Sequence, residues 1–562
     1  MADNDLHGSS QFASIDEMKR LGYLEGEGLT FGTTFEKVGQ SNHFKAITYG
    51  GDSHMITVAP TRSGKGTTQI IPSLMDHMGA VLCIDPKGEN AIITAEARES
   101  IHDQKVYILD PWREATKVLE REPDQLNPLD MLDPESDDFV DDAMMIADAL
   151  VVETGGDSHW TNEARAMVMG FILYVTTDPN EAETRSLGRV RELLSLDPAE
   201  LQDLINTRMV TSQNQLVRSA GNRFNQKSER ELSSVISTAQ QNTHFLESPN
   251  VKKSLEKSTF DFASLKSDDA PISVYVVLPA DRLNTHGRWL RLIVSMAITA
   301  MVRGGNKPAR PALFILDEFA ALGKLAVVEQ AFGLMAGFGM QMHAVLQDMS
   351  QLQDLYGQRW QTFLGNSAVL QVFGTRDVMT AEYVSKLAGH TTVERISVAT
   401  AERRKGGWFT EGDPNYTAMA DQSFGRLLIM PEEIMRMPAS FQLLFMPSCS
   451  PIECLKIEYF RNAKYFDDEG NPMFRVHPNN PFPTEFKAFD EATEERLMAM
   501  DQADWDEIVA KQNIIQKRQQ AERQQAREEA LARAGEVTAK GMKLAGRFGQ
   551  RLYDEARKKL DK

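Results

Sequence analysis

The sequence of 562 residues contains few cysteines, no long apolar segment and no excess of positive charge. Its three cysteines are too few for a disulfide framework or a cysteine-based metal site, which favours a reducing compartment. The best apolar runs, residues 167–175 and 292–302, have about half the length of a membrane-spanning helix. The acidic N-terminus, residues 1–5, lacks the pattern of a signal peptide. These absences predict a cytoplasmic globular protein.

The net charge is −19 at pH 7, from 61 Lys and Arg against 80 Asp and Glu. A protein that simply coats nucleic acid needs a basic footprint, so this charge argues against such a role for the whole chain. A local basic stripe, such as the lining of a ring pore, is compatible with it. The charge is uneven, since residues 511–562 hold 14 Lys and Arg and 7 Asp and Glu.

Short apolar runs bounded by Pro, Gly or Asp occur in two separate parts of the chain. They are residues 55–58, 80–84 and 106–109, and then residues 272–278, 312–316, 340–346 and 368–373. Such runs are typical of buried parallel strands, and helical spacing follows several of them. We therefore predict an α/β fold whose parallel sheet is interrupted by a helical region.

Composition and spacing divide the chain into four predicted parts. They are an irregular N-terminal lead-in (1–50), an α/β nucleotide-binding domain (51–115 and 265–460), an inserted all-α domain (116–264) and a C-terminal extension (461–562). The extension ends with apolar residues at four-residue steps, from Leu544 to Leu560, flanked by Lys and Arg. Such a basic amphipathic helix suits a membrane surface or an acidic partner, and packing on its own protein or a neighbouring subunit is the alternative.

A phosphate-binding loop is predicted at residues 59–67, APTRSGKGT, between the apolar run 55–58 and a helix-like segment at 68–78. In this architecture backbone N–H groups of the loop and of the helix N-terminus point at the phosphates, and the lysine reaches the β- and γ-phosphates. The predicted nucleotide-binding residues are Thr61, Arg62, Ser63, Gly64, Lys65, Gly66 and Thr67.

The loop departs from the common G-x-x-x-x-G-K-[ST] pattern at two positions. Ala59 replaces the first glycine and Gly66 replaces the hydroxyl residue. Thr67 or Thr68 would then bind Mg²⁺, or water would take that position, and we choose Thr67. A fortuitous Gly-Lys turn is the alternative to a nucleotide site.

A second motif is the apolar run 312–316 followed by Asp317 and Glu318. Ligands of open α/β sheets bind at the carboxyl ends of the strands, where these two carboxylates are expected. Asp317 is suited to hold Mg²⁺, and Glu318 to orient and polarise the attacking water. A charge pair at a helix N-terminus is the ordinary alternative for two such residues.

Two further polar positions follow predicted strands. Gln347 closes the run 340–346, and its amide offers both a donor and an acceptor with which to sense a γ-phosphate. A helix cap or a loop glutamine is the alternative. Residues 85–90, DPKGEN, end the second strand, where they contact nucleotide, contact a neighbouring subunit or merely form a turn.

Five ordered stretches together resemble the TraG/VirD-type coupling proteins of type IV secretion systems. They are APTRSGKGT (59–67), DPKGEN (85–90), LFILDEFAALGKL (313–325), QDMSQLQDLY (347–356) and TAEYVSKLAGHT (380–391). The resemblance covers about residues 6–450. It implies a RecA-like P-loop motor of the FtsK/HerA class with an inserted all-α domain, an ATPase that assembles into a hexamer at the inner membrane.

The resemblance also implies roles for single residues: Lys65 binds phosphate, Asp317 serves Mg²⁺, Glu318 activates water and Gln347 is the sensor. The implied cofactors are ATP and Mg²⁺. The implied partners are a relaxase–DNA complex or secreted effector proteins, single- or double-stranded DNA and inner-membrane secretion components. In this family Gly66 in place of Ser or Thr is frequent.

Two features depart from the resemblance. Members of the family usually begin with transmembrane helices, and this chain starts just after their position, so we expect attachment to the membrane through a partner or the basic tail unless that segment was removed. Ring motors also often use a neighbour's arginine, for which Arg376 and Arg426 are only loose candidates. Two alternatives to a translocase remain: a substrate-receptor platform whose assembly ATP controls, and a DNA-pumping partition motor of the same class.

Overall fold

The structure is a computed structural model and describes residues 8–38, 41–152, 158–303, 306–400, 417–468 and 471–478. The chain divides into two compact units. Of the described residues, the larger comprises those within 12–384 and 430–478, and the smaller comprises those within 8–11 and 385–429. The predicted basic helix at the C-terminus lies outside the described residues.

Thirteen strands are present among the described residues. They are β1 (Leu29–Val38), β2 (Ser41–Tyr49), β3 (His54–Val58), β4 (Val81–Asp85), β5 (Lys105–Leu109), β6 (Ile272–Val277), β7 (Ala312–Asp317), β8 (Met340–Leu346), β9 (Ser367–Phe373), β10 (His390–Thr400), β11 (Thr417–Leu427), β12 (Phe441–Phe445) and β13 (Ile452–Leu455). The longest belong to two pairs, β1 with β2 and β10 with β11. In the smaller unit β10 and β11 pair antiparallel, with His390 opposite Leu427.

The larger unit contains an eleven-stranded sheet in the order β2-β1-β13-β12-β9-β3-β8-β7-β4-β6-β5. From β9 to β5 neighbouring strands are parallel. On the other side of β9 the pairs β9–β12, β12–β13, β13–β1 and β1–β2 are all antiparallel. Strands β3, β4, β6 and β8 are buried along their whole length. Burial on both faces explains why they read as continuous apolar runs and not as alternating ones.

Helices connect the parallel strands and fill the segment between β5 and β6. They are α1 (Ile15–Arg20), α2 (Ile71–Asp76), α3 (Glu89–Ser100), α4 (Phe139–Leu150), α5 (Ser158–Thr177), α6 (Leu187–Leu194), α7 (Pro198–Leu204), α8 (Gln215–Asn225), α9 (Glu229–Thr243), α10 (Pro249–Ser254), α11 (Leu283–Val302), α12 (Ala326–Leu334), α13 (Met349–Tyr356), α14 (Trp360–Gly365), α15 (Val378–Ala388) and α16 (Pro431–Met435). Among the described residues, no helix is both long and apolar enough to cross a membrane.

The segment between β5 and β6 begins and ends with turns and irregular stretches, and its α-helices, α4 to α10, lie within residues 139–254 with short 3-10 and π-helical turns between some of them. Several of these helices begin at a side chain that accepts a hydrogen bond from a backbone N–H of the first turn, as N-caps do. These caps are Ser186 of α6, Asp197 of α7, Asn214 of α8 and Ser228 of α9. The cap residues explain where the helices start. The predicted domain boundaries stay a prediction.

The prediction of an irregular lead-in at residues 1–50 is wrong for its second half. Residues 29–38 and 41–49 form β1 and β2, and β1 pairs with β13 through Thr33 and Leu455. Their sequences mix Thr, Gly, Lys and apolar residues without a clear alternation. The two strands pair antiparallel with each other, with Leu29 opposite Tyr49, and the contact of β1 with β13 then joins them to the sheet.

Candidate nucleotide-binding site

The predicted site residues lie at one edge of the sheet. Strands β3, β8, β7 and β4 are parallel neighbours in that order, so their carboxyl ends meet at the same edge. The loop 59–67 follows β3, Gln347 follows β8, and Asp317 and Glu318 stand at the end of β7. This edge is where open α/β sheets bind their ligands.

The loop begins with a backbone bond to the neighbouring strand and then turns through two left-handed residues. The Ala59 N–H donates to the Leu346 carbonyl at 2.8 Å, which joins the loop to the end of β8. Arg62 has φ +63° and Gly64 has φ +90°. A left-handed conformation carries little cost for glycine but is uncommon for arginine, and strained residues of this kind cluster at functional sites.

A π-helical turn, Gly66–Ile70, follows the loop, and the Ile71 N–H donates to the Gly66 carbonyl. Such turns occur often at functional sites and insert one residue relative to an α-helix. The Thr67 and Thr68 hydroxyls both donate to the Gly64 carbonyl, at 3.1 and 2.8 Å. Both hydroxyls therefore lie beside the loop, and the choice of Thr67 as the Mg²⁺ ligand stays a prediction.

The Lys65 ammonium lies against the two carboxylates that follow β7. Its Nζ is 2.7 Å from Asp317 Oδ1 and 3.6 Å from Glu318 Oε2. Each of the three side chains is largely buried. Lys65 and the Asp-Glu pair, about 250 residues apart in sequence, thus form one cluster of charge.

Glu318 is hydrogen-bonded to Gln347, and Gln347 is hydrogen-bonded to the phosphate loop. Gln347 Nε2 donates to Glu318 Oε1 at 3.0 Å, and the Thr61 hydroxyl donates to Gln347 Oε1 at 3.3 Å. Glu318 itself has φ +69°, an unusual conformation for a residue with a side chain. A chain of contacts therefore runs from the loop through Gln347 and Glu318 to Lys65.

Asp85 ends β4 at the same edge and is fully buried. Burial and the nearby charge of Asp317 together raise its pKa to about 7, against the lowering effect of a hydrogen bond from the Ala91 N–H. Residues 86–88 form a turn and Glu89 begins α3. The turn is one of the three alternatives for this stretch, and the other two stay open.

The donor set fits a nucleotide with a divalent cation. The Lys65 ammonium and loop N–H groups suit phosphate oxygens, and a carboxylate beside hydroxyl groups suits Mg²⁺. The Ser63 hydroxyl is buried with no hydrogen-bond partner in the described part of the chain, as expected of a loop built to take a ligand. Arg376 is exposed and Arg426 lies in β11 of the smaller unit. The geometry supports neither of them as an arginine supplied to a neighbouring subunit's site.

One contact to the loop was not predicted from the sequence. Lys456, the first residue after β13, donates from Nζ to the Ser63 carbonyl at 2.9 Å. Its sequence signal is weak: a lysine directly after the short run IECL, which an exposed glutamate interrupts. A cavity of about 660 Å³ elsewhere in the larger unit, lined by residues such as Asp130, Asp261 and Lys266, lacks a phosphate loop and receives no role.

The sequence around this site matches a known protein family. The family model described as "Type IV secretory system Conjugative DNA transfer" matches residues 11–481 of this chain. The chain belongs to this family. Family membership confirms the resemblance to TraG/VirD-type coupling proteins on which the sequence prediction rests.

Curated relatives of this coupling protein include TraG and VirD4 proteins. The chain is 29% identical over 478 residues to the conjugal transfer protein TraG of Escherichia coli, which covers 78% of this chain and 72% of TraG. It is 27% identical over 468 residues to the protein VirD4 of Agrobacterium fabrum, which covers 82% of this chain and 66% of VirD4.

Solved structures share the fold of this coupling protein. The bacterial conjugative coupling protein TrwB has a TM-score of 0.59 at 17% identity, over 80% of this chain and 93% of TrwB. TrwB in complex with a non-hydrolysable ATP analogue matches equally, with a TM-score of 0.59 at 16% identity over 82% of this chain. The predicted fold class, a RecA-like α/β domain with an inserted helical part, is confirmed, and the predicted helical tail lies outside the described residues. The roles of single site residues stay predictions.

Proposed function

We propose that this coupling protein binds and hydrolyses ATP and uses it to deliver a relaxase–DNA complex, effector proteins or both to a type IV secretion channel. One observation carries the proposal: Lys65, Asp317, Glu318 and Gln347 are connected at the carboxyl edge of the sheet by contacts of 2.7 to 3.6 Å. Family membership favours secretion over the partition-motor alternative.

Lys65 is assigned to the β- and γ-phosphates. Its ammonium is paired with Asp317 and Glu318 in this structure, so nucleotide binding would transfer the lysine from the carboxylates to the phosphates. The transfer frees Asp317 for Mg²⁺, together with the Thr67 hydroxyl beside the loop. Bound Mg²⁺ would neutralise charge on the phosphate oxygens.

Glu318 is assigned to the attacking water, which it orients and polarises. Gln347 fixes the Glu318 carboxylate through its Nε2 and bonds to Thr61 through its Oε1. Because Gln347 contacts both the loop and Glu318, loss of the γ-phosphate can be transmitted to the end of β8. This is the sensor role proposed for Gln347.

Solved structures of TrwB support the cofactors. Structures of TrwB exist in complex with ADPNP and in complex with ADP and Mg²⁺. We infer ATP and Mg²⁺ for this chain, a homo-hexamer when active, and inner-membrane secretion components as partners. The helical segment 116–264 is proposed to engage substrate, and the C-terminal extension or a partner to bring the protein to the inner membrane.

ATP hydrolysis by the wild type and by Lys65→Ala tests the proposal. We expect wild-type hydrolysis that DNA stimulates and that Lys65→Ala abolishes, since removing the ammonium leaves the phosphate charge unbalanced. Lys105→Ala, an exposed lysine at the opposite edge of the sheet, is the matched control and should behave as wild type. Hydrolysis that Lys65→Ala leaves unchanged would refute the assigned site.

The receptor-platform alternative predicts a different result. ATP binding without DNA-stimulated hydrolysis, selective recovery of secretion substrates in pull-downs and no DNA binding at low salt would favour it. Because the electrostatic part of DNA binding is strongest at low salt, its absence there is decisive.

A further inference from the structure

Lys456 reaches the nucleotide edge of the sheet because of the strand directions. Strand β12 is antiparallel to β9, and β13 is antiparallel to β12, so β13 runs in the same direction as β9 and β3. The carboxyl end of β13 therefore lies at the edge at which the loop follows β3. Lys456 is the first residue beyond that end.

The Lys456 ammonium has a carbonyl and an aromatic ring as its neighbours. Its Nζ donates to the Ser63 carbonyl at 2.9 Å and lies 4.1 Å from the centroid of the Phe373 ring, a cation–π distance. Among the described residues it forms no ion pair with a carboxylate. Burial lowers the pKa of Lys456 to about 8, which Glu458 only partly opposes. A half-buried cation at a phosphate loop lacks its counter-ion.

The hydrogen bond from Lys456 also fixes a peptide group. In a planar trans peptide the C=O of one residue and the N–H of the next point in opposite directions. The Ser63 carbonyl faces Lys456, so the Gly64 N–H faces away from it. In the described part of the chain, the Gly64 N–H has no hydrogen-bond acceptor. The arrangement leaves a backbone donor for an anion on the far side of the loop.

We propose that Lys456 is a positioning residue for nucleotide binding: it orients the Ser63–Gly64 peptide so that the Gly64 N–H faces the phosphates, and it adds positive charge beneath the loop. The inference rests on the proposed ATP binding and deepens it. Lys456 lies 393 positions after Ser63 in the sequence, and the pairing of β13 with β12 brings it to the phosphate site.

Isothermal titration with MgATP tests the inference on the full chain. Lys456→Met is expected to bind MgATP about tenfold more weakly or worse, the effect of losing a charged hydrogen bond. Lys456→Arg keeps the charge and the donor and should stay within about threefold of wild type. Lys105→Met is the matched control for loss of a lysine charge and should bind as wild type. Lys456→Gln serves in place of Lys456→Met if that variant is insoluble.

Two readouts separate this role from simple support of the loop. The melting temperature without nucleotide should not fall in Lys456→Met, because removal of a half-buried charge without a counter-ion offsets the loss of the single hydrogen bond to Ser63, whereas a structural support would lower it. Wild-type affinity for MgATP should also fall as pH rises from about 7 to 9, since the ammonium then loses its proton. Lys456→Arg should lack this fall, and Glu458, the charged group that acts on Lys456, is common to both proteins.

The outcomes are distinct. If the wild type fails to bind MgATP, the proposed function and this inference are both overturned. If the wild type binds and Lys456→Met binds equally well with the same pH profile, the inference alone is overturned. Weaker binding of Lys456→Met with recovery in Lys456→Arg and an unchanged melting temperature supports it.

Discussion

Buried polar side chains of the sheet form hydrogen bonds next to the phosphate loop. The Thr57 hydroxyl on β3 donates to Gln371 Oε1 at 2.7 Å, so it must accept from His343, whose Nε2 lies 2.8 Å away. Gln371 Nε2 in turn donates to Gln69 Oε1 at 2.9 Å. Burial lowers the pKa of His343 to about 4, so its ring is neutral at pH 7. This network joins the strand before the loop to the turn after it, while His343 Nδ1 is buried without a hydrogen-bond partner among the described residues.

Glu318→Gln separates ATP binding from hydrolysis at the scale of one residue. The amide keeps the size of the side chain but cannot polarise water as a carboxylate does, so we expect hydrolysis to fall by about 10²-fold or more. The affinity for MgATP should stay within a few fold, because Lys65 and the loop are unchanged. Single-turnover hydrolysis and equilibrium binding measure the two quantities. An equal loss of both would place Glu318 in binding and contradict its assigned role.

Helix α3 is anchored by a buried arginine that has no carboxylate partner among the described residues. The Arg98 guanidinium donates to the His77 carbonyl at 2.7 Å, and to the Gly79 carbonyl and Gln104 Oε1, each at 2.8 Å. These groups belong to the segment between α2 and β4 and to the turn before β5. The Arg98 side chain thus links α3 to the segments that precede β4 and β5. The DPKGEN turn, which leads into α3, is positioned together with the helix.

Arg98→Met is expected to lower the free energy of unfolding by about 3 kcal/mol or more. The substitution leaves several buried carbonyl groups without a donor, and each unsatisfied buried group costs about 1–3 kcal/mol. Chemical denaturation of the two proteins at pH 7 measures the difference. Arg121→Met provides the matched control, because Arg121 is partly exposed and its pairing with Glu99 should contribute about 1 kcal/mol at most. Equal stabilities of Arg98→Met and wild type would contradict the anchoring role.

At the scale of the whole molecule, the nucleotide edge is assembled from segments that are distant in sequence. The loop precedes the helical segment, Asp317, Glu318 and Gln347 follow it, and Lys456 comes from the last strand of the sheet. Lys456 and Ser63 are separated by 393 positions. Because the site needs both halves of the domain, nucleotide binding should stabilise the larger unit as a whole.

The C-terminal extension is the part of the molecule assigned to localisation. Deletion of residues 536–562 should weaken association with the membrane or with partners, since it removes the predicted basic amphipathic helix. Basal ATP hydrolysis should not change, because the deletion spares every assigned site residue. Membrane fractionation, partner recovery and hydrolysis measured in parallel test this. Unchanged fractionation and partner recovery would contradict the assignment.

The sequence alone determined the local features of this protein. Apolar runs located the seven parallel strands, because strands buried on both faces have few polar residues. The rule that ligands bind at the carboxyl ends of such strands then located the loop, Asp317, Glu318 and Gln347. The tertiary structure decided the order of the strands, the pairing of β1 with β13 and the contact of Lys456 with Ser63. The strands and the site residues could be predicted because short sequence patterns record local burial and turn preferences. The strand order and the Lys456 contact could not, because they depend on pairing between segments hundreds of residues apart.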